Sequence, residues 1–237
     1  MIGPLDPTAA AVAREIATGV GAMPIVEIEP GRAELRGSSP RFTLGDSSIA
    51  LHPALPGAHQ IENAAVAAAT LLLAHPRLPS LLSPHIEAGI AAARWPGRLE
   101  MLRLGTGRPA VLLDAAHNLD GARALAAALP ALGIDPARTT LVFGALVDKA
   151  YAAFLDKIAP LARARFYTCP GGRAPAPLDE LARIAPGACI ADPREAVDAA
   201  IAAAGDDDTV LVTGSVYLVG TVRAHLLGAR RDPAVGL

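Results

Sequence analysis

The chain changes its hydrophobic rhythm about two fifths of the way along. Before that point the pattern is mixed. Apolar positions recur with helical spacing over Asp6–Val20, with Asp6 as a candidate cap and Pro7 suited to the first helical position. Short alternating stretches at Pro24–Ile28, Ala33–Arg36, Arg41–Leu44 and Ser48–Leu51, separated by Gly, Pro and Ser turns, predict small strands. An Ala/Leu-rich run predicts a long helix over Gly57–Ala74, and a second helix is expected over Ser83–Ala93 after the Pro-rich 76–79. The longest continuous apolar run, Ala64–Ala74, is too short to span a bilayer and reads as a buried helix. Arg94-Trp95-Pro96-Gly97-Arg98 then breaks helical character. It sets the expected boundary between a first segment, 1–94, and a second, 95–237.

Beyond it the pattern becomes regular. Apolar strand runs are expected at Leu99–Leu104, Ala110–Asp114, Thr140–Phe143, Ala164–Thr168, Cys189–Ala191 and Thr209–Thr213. Between most of them lie helical runs, at Gly121–Leu129, Ala150–Leu161, Leu178–Ile184, Arg194–Ala203 and Ser215–Leu227. Uninterrupted apolar strands need cover on both sides. Their alternation with Ala-rich helices predicts an α/β fold with a mostly parallel sheet and helices on both faces. Open sheets of this kind bind ligands beyond the carboxyl ends of their strands, which is where Asp114, Gly144, Cys169 and Thr213 fall.

Composition narrows the partners. With 237 residues, 52% hydrophobic and 19% charged, the chain has ample material for a folded core and is not disordered. A formal charge of -2 without a basic run excludes a nucleic-acid surface and points to a small-molecule partner. Cys169 and Cys189 lack CxxC spacing, so neither a disulfide framework nor a zinc site is expected. Met1–Asp6 has no basic or apolar leader character, and a cytoplasmic location is expected. Lysine is confined to Lys149 and Lys157, which makes each easy to weigh.

Several constellations have both a structural and a chemical reading. Asp114-Ala115-Ala116-His117-Asn118 puts an acid, an imidazole and an amide on one strand-to-helix loop; Asn118 alone is a good helix cap, but three polar groups exceed what capping needs. Asp148-Lys149 follows a strand and a glycine turn, and is either a solvated ion pair or an anion site. Thr213-Gly214-Ser215 runs into a helix, where Ser215 caps and also presents a hydroxyl beside free backbone N–H groups. Tyr217 reads as a packing aromatic. Arg98 on its Pro-Gly turn either pairs with Glu100 or reaches a phosphate. Pro170-Gly171-Gly172-Arg173 is a loop at a further strand end, with substrate contact left open. His59, Gln60 and Asn63 open a helix, normally a structural place. The phosphate-loop pattern G-x-x-x-x-G-K-[S/T] does not occur, since both lysines follow an aspartate.

Five strings in order, G-A-H-Q-I-E-N-A-A at 57–65, W-P-G-R-L-E at 95–100, D-A-A-H-N at 114–118, L-V-F-G-A-L-V-D-K at 141–149 and L-V-T-G-S-V-Y-L-V-G at 211–220, resemble the folylpolyglutamate/dihydrofolate synthase branch of the Mur ligase superfamily. The resemblance implies a Rossmann-like C-terminal glutamate-ligase domain at 95–237. It implies that 1–94 is the tail end of a P-loop ATPase domain. The implied reaction is ATP-dependent ligation of L-glutamate to dihydropteroate or folate through an acyl phosphate. Its cofactors are ATP and Mg2+, whose family ligands fall outside these residues, so the chain alone is expected to be inactive. A partner segment carrying the phosphate loop is implied as well. Residue by residue, the resemblance gives Asn63, Arg98 and Asp114 to the nucleotide and His117 and Ser215 to glutamate. Lys149 goes to the incoming carboxylate, and with His117 it forms the catalytic pair. Ala150 and Thr221 depart from the acids usual at their positions. Two rival readings stay open, a non-catalytic nucleotide- or amino-acid-binding module and a Mur-type peptidoglycan ligase.

Overall fold

The computed structural model describes residues 1–28, 34–36 and 39–229, and Cα packing divides it into two units, Met1–Trp95 and Pro96–Leu237. In the first, α1 (Pro7–Gly19) begins where its cap predicts: the Asp6 carboxylate accepts from Thr8 N at 2.9 Å and Ala9 N at 3.0 Å. The expected strand at Pro24–Ile28 does not form. Its only partner among the described residues is Ile2, bridged to Glu27 through Ile2 N to Val26 O and Ile28 N to Ile2 O, and a single opposing residue cannot extend a ladder. Strands β1 (Glu34–Arg36), β2 (Ser39–Leu44) and β3 (Ser47–Ala50) make an antiparallel sheet in the order β1-β2-β3, with Ala33 outside the described residues. Helices α2 (His59–Ala74) and α3 (Ser83–Ala92) cover it. The small side chains Ala64, Ala65, Ala68 and Ala69 let α2 approach Phe42 and Ile49 closely.

The second unit carries the regular alternation. In chain order its elements are β4 (Glu100–Arg103), β5 (Ala110–Leu113), α4 (Leu119–Ala128), β6 (Thr139–Phe143), α5 (Tyr151–Ile158), β7 (Ala164–Tyr167), α6 (Leu178–Ile184), β8 (Ala188–Cys189), α7 (Pro193–Ala203), β9 (Thr209–Thr213) and α8 (Val216–Leu227). Among the described residues they form one six-stranded sheet in the order β4-β5-β9-β6-β7-β8, parallel except for the β4-β5 pair. Side chains on a strand alternate between faces. Leu112, Leu141, Phe143, Tyr167 and Leu211 join Leu125, Phe154, Leu155 and Leu181 of α4, α5 and α6 on one side. Val111, Leu113, Val142, Val210 and Val212 join Val197, Ile201, Leu218 and Val222 of α7 and α8 on the other. That two-sided burial is why the runs 111–113, 141–143 and 210–212 are uninterruptedly apolar.

Element ends shift by up to three residues from expectation, and two strands show it most clearly. Leu99 is not in the first strand: it is buried with φ 44°, so the chain turns there and β4 starts at Glu100. The Cys189–Ala191 strand shrinks to the exposed pair Ala188–Cys189 at the sheet edge. Among the described residues, no helix is long and apolar enough to cross a membrane.

Candidate active site

Four parallel strands deliver loops to one end of the second unit's sheet: 114–118 after β5, 144–150 after β6, 168–177 after β7 and 214–215 after β9. Gly214 makes the last of these possible. With φ 106°, a Cβ there would lie 2.6 Å from the Phe143 ring and 2.7 Å from Gly144 O, so no other residue fits without displacement. The loops enclose a cleft of about 290 Å³ lined by His117, Leu146, Lys149, Arg173, Gly214, Ser215, Val216 and Tyr217.

Each polar group in the cleft has a defined state. Ser215 is buried and caps α8, its Oγ accepting from Tyr217 N at 3.2 Å; the hydroxyl's own proton remains available to an anion. The first amides of α8 add the partial positive charge of a helix start. His117 is exposed, and its Nδ1 lies 3.0 Å from Ala115 O. A carbonyl oxygen only accepts, so Nδ1 is the donor in this contact, and the ring's other nitrogen, Nε2, is not used in it. Lys149 is half-buried and has no ion-pair partner among the described residues. Asp148 faces Arg173 instead, at 3.6 Å, so of the two readings of Asp148-Lys149 the solvated pair does not form. The cleft therefore holds two fixed cations and an imidazole, and the residues lining it include no carboxylate.

Asp114 and Arg98 lie in the same unit but do not line this cleft. Asp114 is buried at the end of β5; its Oδ2 accepts from Leu99 N and its Oδ1 from Ala116 N, both at 3.0 Å. Those bonds, with Ala115 N to Gly97 O at 2.7 Å, pin the turn that bears Arg98. Glu100 does not pair with Arg98. It accepts from Gly97 N at 2.7 Å and holds Arg223 of α8 at 2.9 Å. Burial pushes the Glu100 carboxyl up, but the bonds from Arg223 and Gly97 outweigh it and hold the group below its ordinary value. Arg98 is left exposed, with no ion-pair partner among the described residues. Asn63 belongs to the first unit, in the opening turn of α2. There its Nδ2 donates to Gln60 Oε1 at 3.1 Å, while Gln60 Nε2 lies 2.8 Å from His59 Nε2.

The model of the Mur ligase glutamate ligase domain matches residues 97–216, half of the sequence, and covers every loop of the cleft. The chain belongs to the Mur ligase family. This Mur ligase chain is similar to folylpolyglutamate synthase of Lacticaseibacillus casei, 34% identical over 205 residues that cover 84% of this chain and 46% of that protein. It is also 28% identical over 180 residues to the dihydrofolate synthase/folylpolyglutamate synthase of Bacillus subtilis, covering 74% of this chain and 41% of that protein. Mycobacterium tuberculosis folylpolyglutamate synthase, solved with ADP and AMPPCP, superposes with a TM-score of 0.74 at 25% identity, covering 98% of this chain and 55% of that one. The Mur ligase chain thus spans about half the length of the curated relatives it matches.

Two polar lining residues of the Mur ligase cleft receive no role from the resemblance. Arg173 is one, although a lone arginine on a glycine loop at a strand's carboxyl end is a usable signal. Tyr217 reads as packing only; it does pack, against Gly172, and it also lines the cleft. Among the described residues no group of three or more His, Cys, Asp or Glu side chains is placed to hold a metal ion.

Proposed function

We propose that this chain is the amino-acid-binding half of an ATP-dependent ligase that joins L-glutamate to dihydropteroate or a folate. The observation that carries the reading is the cleft at the strand ends, where Lys149, Arg173, His117 and the Ser215 hydroxyl converge; no carboxylate lines it, and the one beside it, Asp148, faces Arg173 loosely at 3.6 Å and leaves Lys149 unpaired among the described residues. Such a site suits an anionic amino acid and disfavours a cationic or neutral one. The names of the similar proteins, folylpolyglutamate and dihydrofolate synthases, support glutamate as that amino acid and a folate as its acceptor.

In this reading the substrate carboxyl is first phosphorylated by ATP to an acyl phosphate. Lys149 and Ser215 hold a carboxylate of the incoming glutamate. His117 takes a proton from its ammonium at Nε2, and the freed amine attacks the acyl carbon. A tetrahedral intermediate forms and phosphate leaves. Positioning and charge neutralisation supply most of the rate in such transfers. Arg98, exposed on a pinned turn, fits a phosphate contact. Asn63 and Asp114 are proposed for the nucleotide with it, Asp114 by fixing the Arg98 turn. The 237 residues hold no phosphate-loop pattern, so the chain by itself is proposed not to ligate. Its free cysteines suit a reducing compartment, and we assign the reaction to the cytoplasm.

Incubation with ATP, magnesium, L-glutamate and dihydropteroate is expected to release no ADP. Release with product would overturn the proposed dependence on an outside phosphate loop. Calorimetric titration of the same chain is expected to give saturable heat with L-glutamate. Saturation by a UDP-muramoyl peptide and none by glutamate would assign a cell-wall substrate instead.

A further inference from the structure

We propose that Glu100 is a positioning residue that ties the turn bearing Arg98 to α8, the helix whose start lines the cleft. Through that tie an anion held at Arg98 tightens amino-acid binding in the cleft. This role rests on the reading of Arg98 as a phosphate contact and of the cleft as an amino-acid site, and it belongs to a side chain to which that reading gives no part.

Arg98 is exposed between two buried neighbours, Gly97 and Leu99. Both have left-handed backbone, with φ 77° and 44°, and for leucine that conformation is strained. Such a turn persists only where its surroundings hold it. Two sets of bonds do so. In the first, Ala115 N donates to Gly97 O at 2.7 Å and Leu99 N to Asp114 Oδ2 at 3.0 Å, which fixes the turn to the loop that carries His117. That loop reaches the start of α8 in its turn, Gly214 N donating to Ala116 O at 3.0 Å.

The second set runs through Glu100. Its Oε2 accepts from Gly97 N at 2.7 Å and from Arg223 Nε at 2.9 Å, and its Oε1 from the same Nε at 3.1 Å. One carboxylate thus joins the turn directly to α8. Gly97 also lies close against that helix; a Cβ there would come within 2.7 Å of Val219 Cγ1. The Glu100 and Arg223 side chains are only 22% and 32% exposed, so their charge-assisted bonds are less weakened by water than those of an open surface pair. Ser215, Val216 and Tyr217, at the start of the same helix, line the cleft. An anion on Arg98 orders the strained turn, and the order reaches α8 and the 114–118 loop. The amino acid then has less left to order, which is positive coupling.

The test is calorimetric titration with L-glutamate, with and without saturating inorganic phosphate, of the 237-residue chain and its R98Q, E100Q and R223Q variants. Each titration is run well below the variant's thermal midpoint, so lost stability does not enter the readout. R223Q leaves the Glu100–Gly97 bond in place and breaks only the tie to α8. Phosphate is expected to tighten glutamate binding to the wild-type chain by about fivefold, and this factor to fall to about one in all three variants while each still binds glutamate. A factor lost in R98Q but kept in E100Q and R223Q would overturn the inference, since a merely structural Glu100 lowers the midpoint and leaves the coupling intact. A factor that survives in R98Q would also overturn it, placing the phosphate elsewhere. So would phosphate that leaves wild-type glutamate binding unchanged, or weakens it by competing in the cleft. Wild-type chain that binds no glutamate at all would remove the amino-acid site itself, and the coupling with it.

Discussion

At the end of the sheet opposite the cleft, the buried Asp208 carboxylate accepts from Gly205 N at 2.8 Å, Arg138 Nε at 3.2 Å and Arg163 Nη2 at 2.6 Å, while its carbonyl receives Ala110 N at 3.1 Å. One residue thereby clips the entries to β5, β6, β7 and β9. The Gly205 amide, opposed by burial and helped by the two guanidinium groups, holds the Asp208 carboxyl below its ordinary value. A lowered folded value means the contribution to stability is complete above the unfolded carboxylate range near about 4 and is lost as pH falls through the folded value. D208N is expected to destabilise the second unit by about 1.5–3 kcal/mol at neutral pH and to flatten its acid limb; urea melts at about pH 7 and about pH 3 check both. G214A should destabilise by about 1–3 kcal/mol, because its Cβ meets the Phe143 ring and its φ is left-handed. Local chemistry of this class was legible in the sequence. Asp6, Asn118 and Ser215 all cap as read, since a cap and its amide lie within three positions. Asp208 was not legible, because its arginines lie 70 and 45 positions away. The partner of Glu100 was not legible for the same reason: Arg223 is 123 positions distant, and the Arg98–Glu100 alternative does not form.

The strands of the second unit were legible because burial on both faces writes a continuous apolar run, and the Ala-rich helices between them because their spacing is helical. What the pattern does not encode is pairing. Strand β4 reads like its neighbours yet runs antiparallel, and Pro24–Ile28 reads like a strand yet has one residue to pair with among those described. The Glu100–Arg223 bond joins β4 to α8, and the same carboxylate holds the Gly97 amide. E100Q is therefore expected to cost about 1–2 kcal/mol and to speed hydrogen exchange at Gly97 and Leu99 while leaving β6 protected. Exchange that rises equally across the sheet would show that the bond does not act locally. Losing the α8 cap by S215A should lower stability by about 1 kcal/mol, read by denaturant titration. It should weaken glutamate binding as well, since Ser215 lines the cleft.

The two units differ in how much of their function the sequence exposes. In the second, His117, Lys149 and Ser215 come from three loops spread over about a hundred positions, and the sheet order brings all three to one cleft. The strand-end rule anticipated that convergence. It did not separate residues that line the cleft from Asp114, which is buried outside the lining and fixes a turn. In the first unit Asn63 stands within a helix-opening polar chain with Gln60 and His59. The central claim is that the carboxyl-end cleft of the second unit binds the amino acid. Backbone amide chemical-shift mapping with L-glutamate tests it most directly. The account predicts saturable shifts at 117, 145–149, 171–174 and 214–217, with 107–110, 135–139 and 205–208 at the far end of the sheet unmoved. Shifts concentrated at the far end, or none at saturating glutamate, would contradict it.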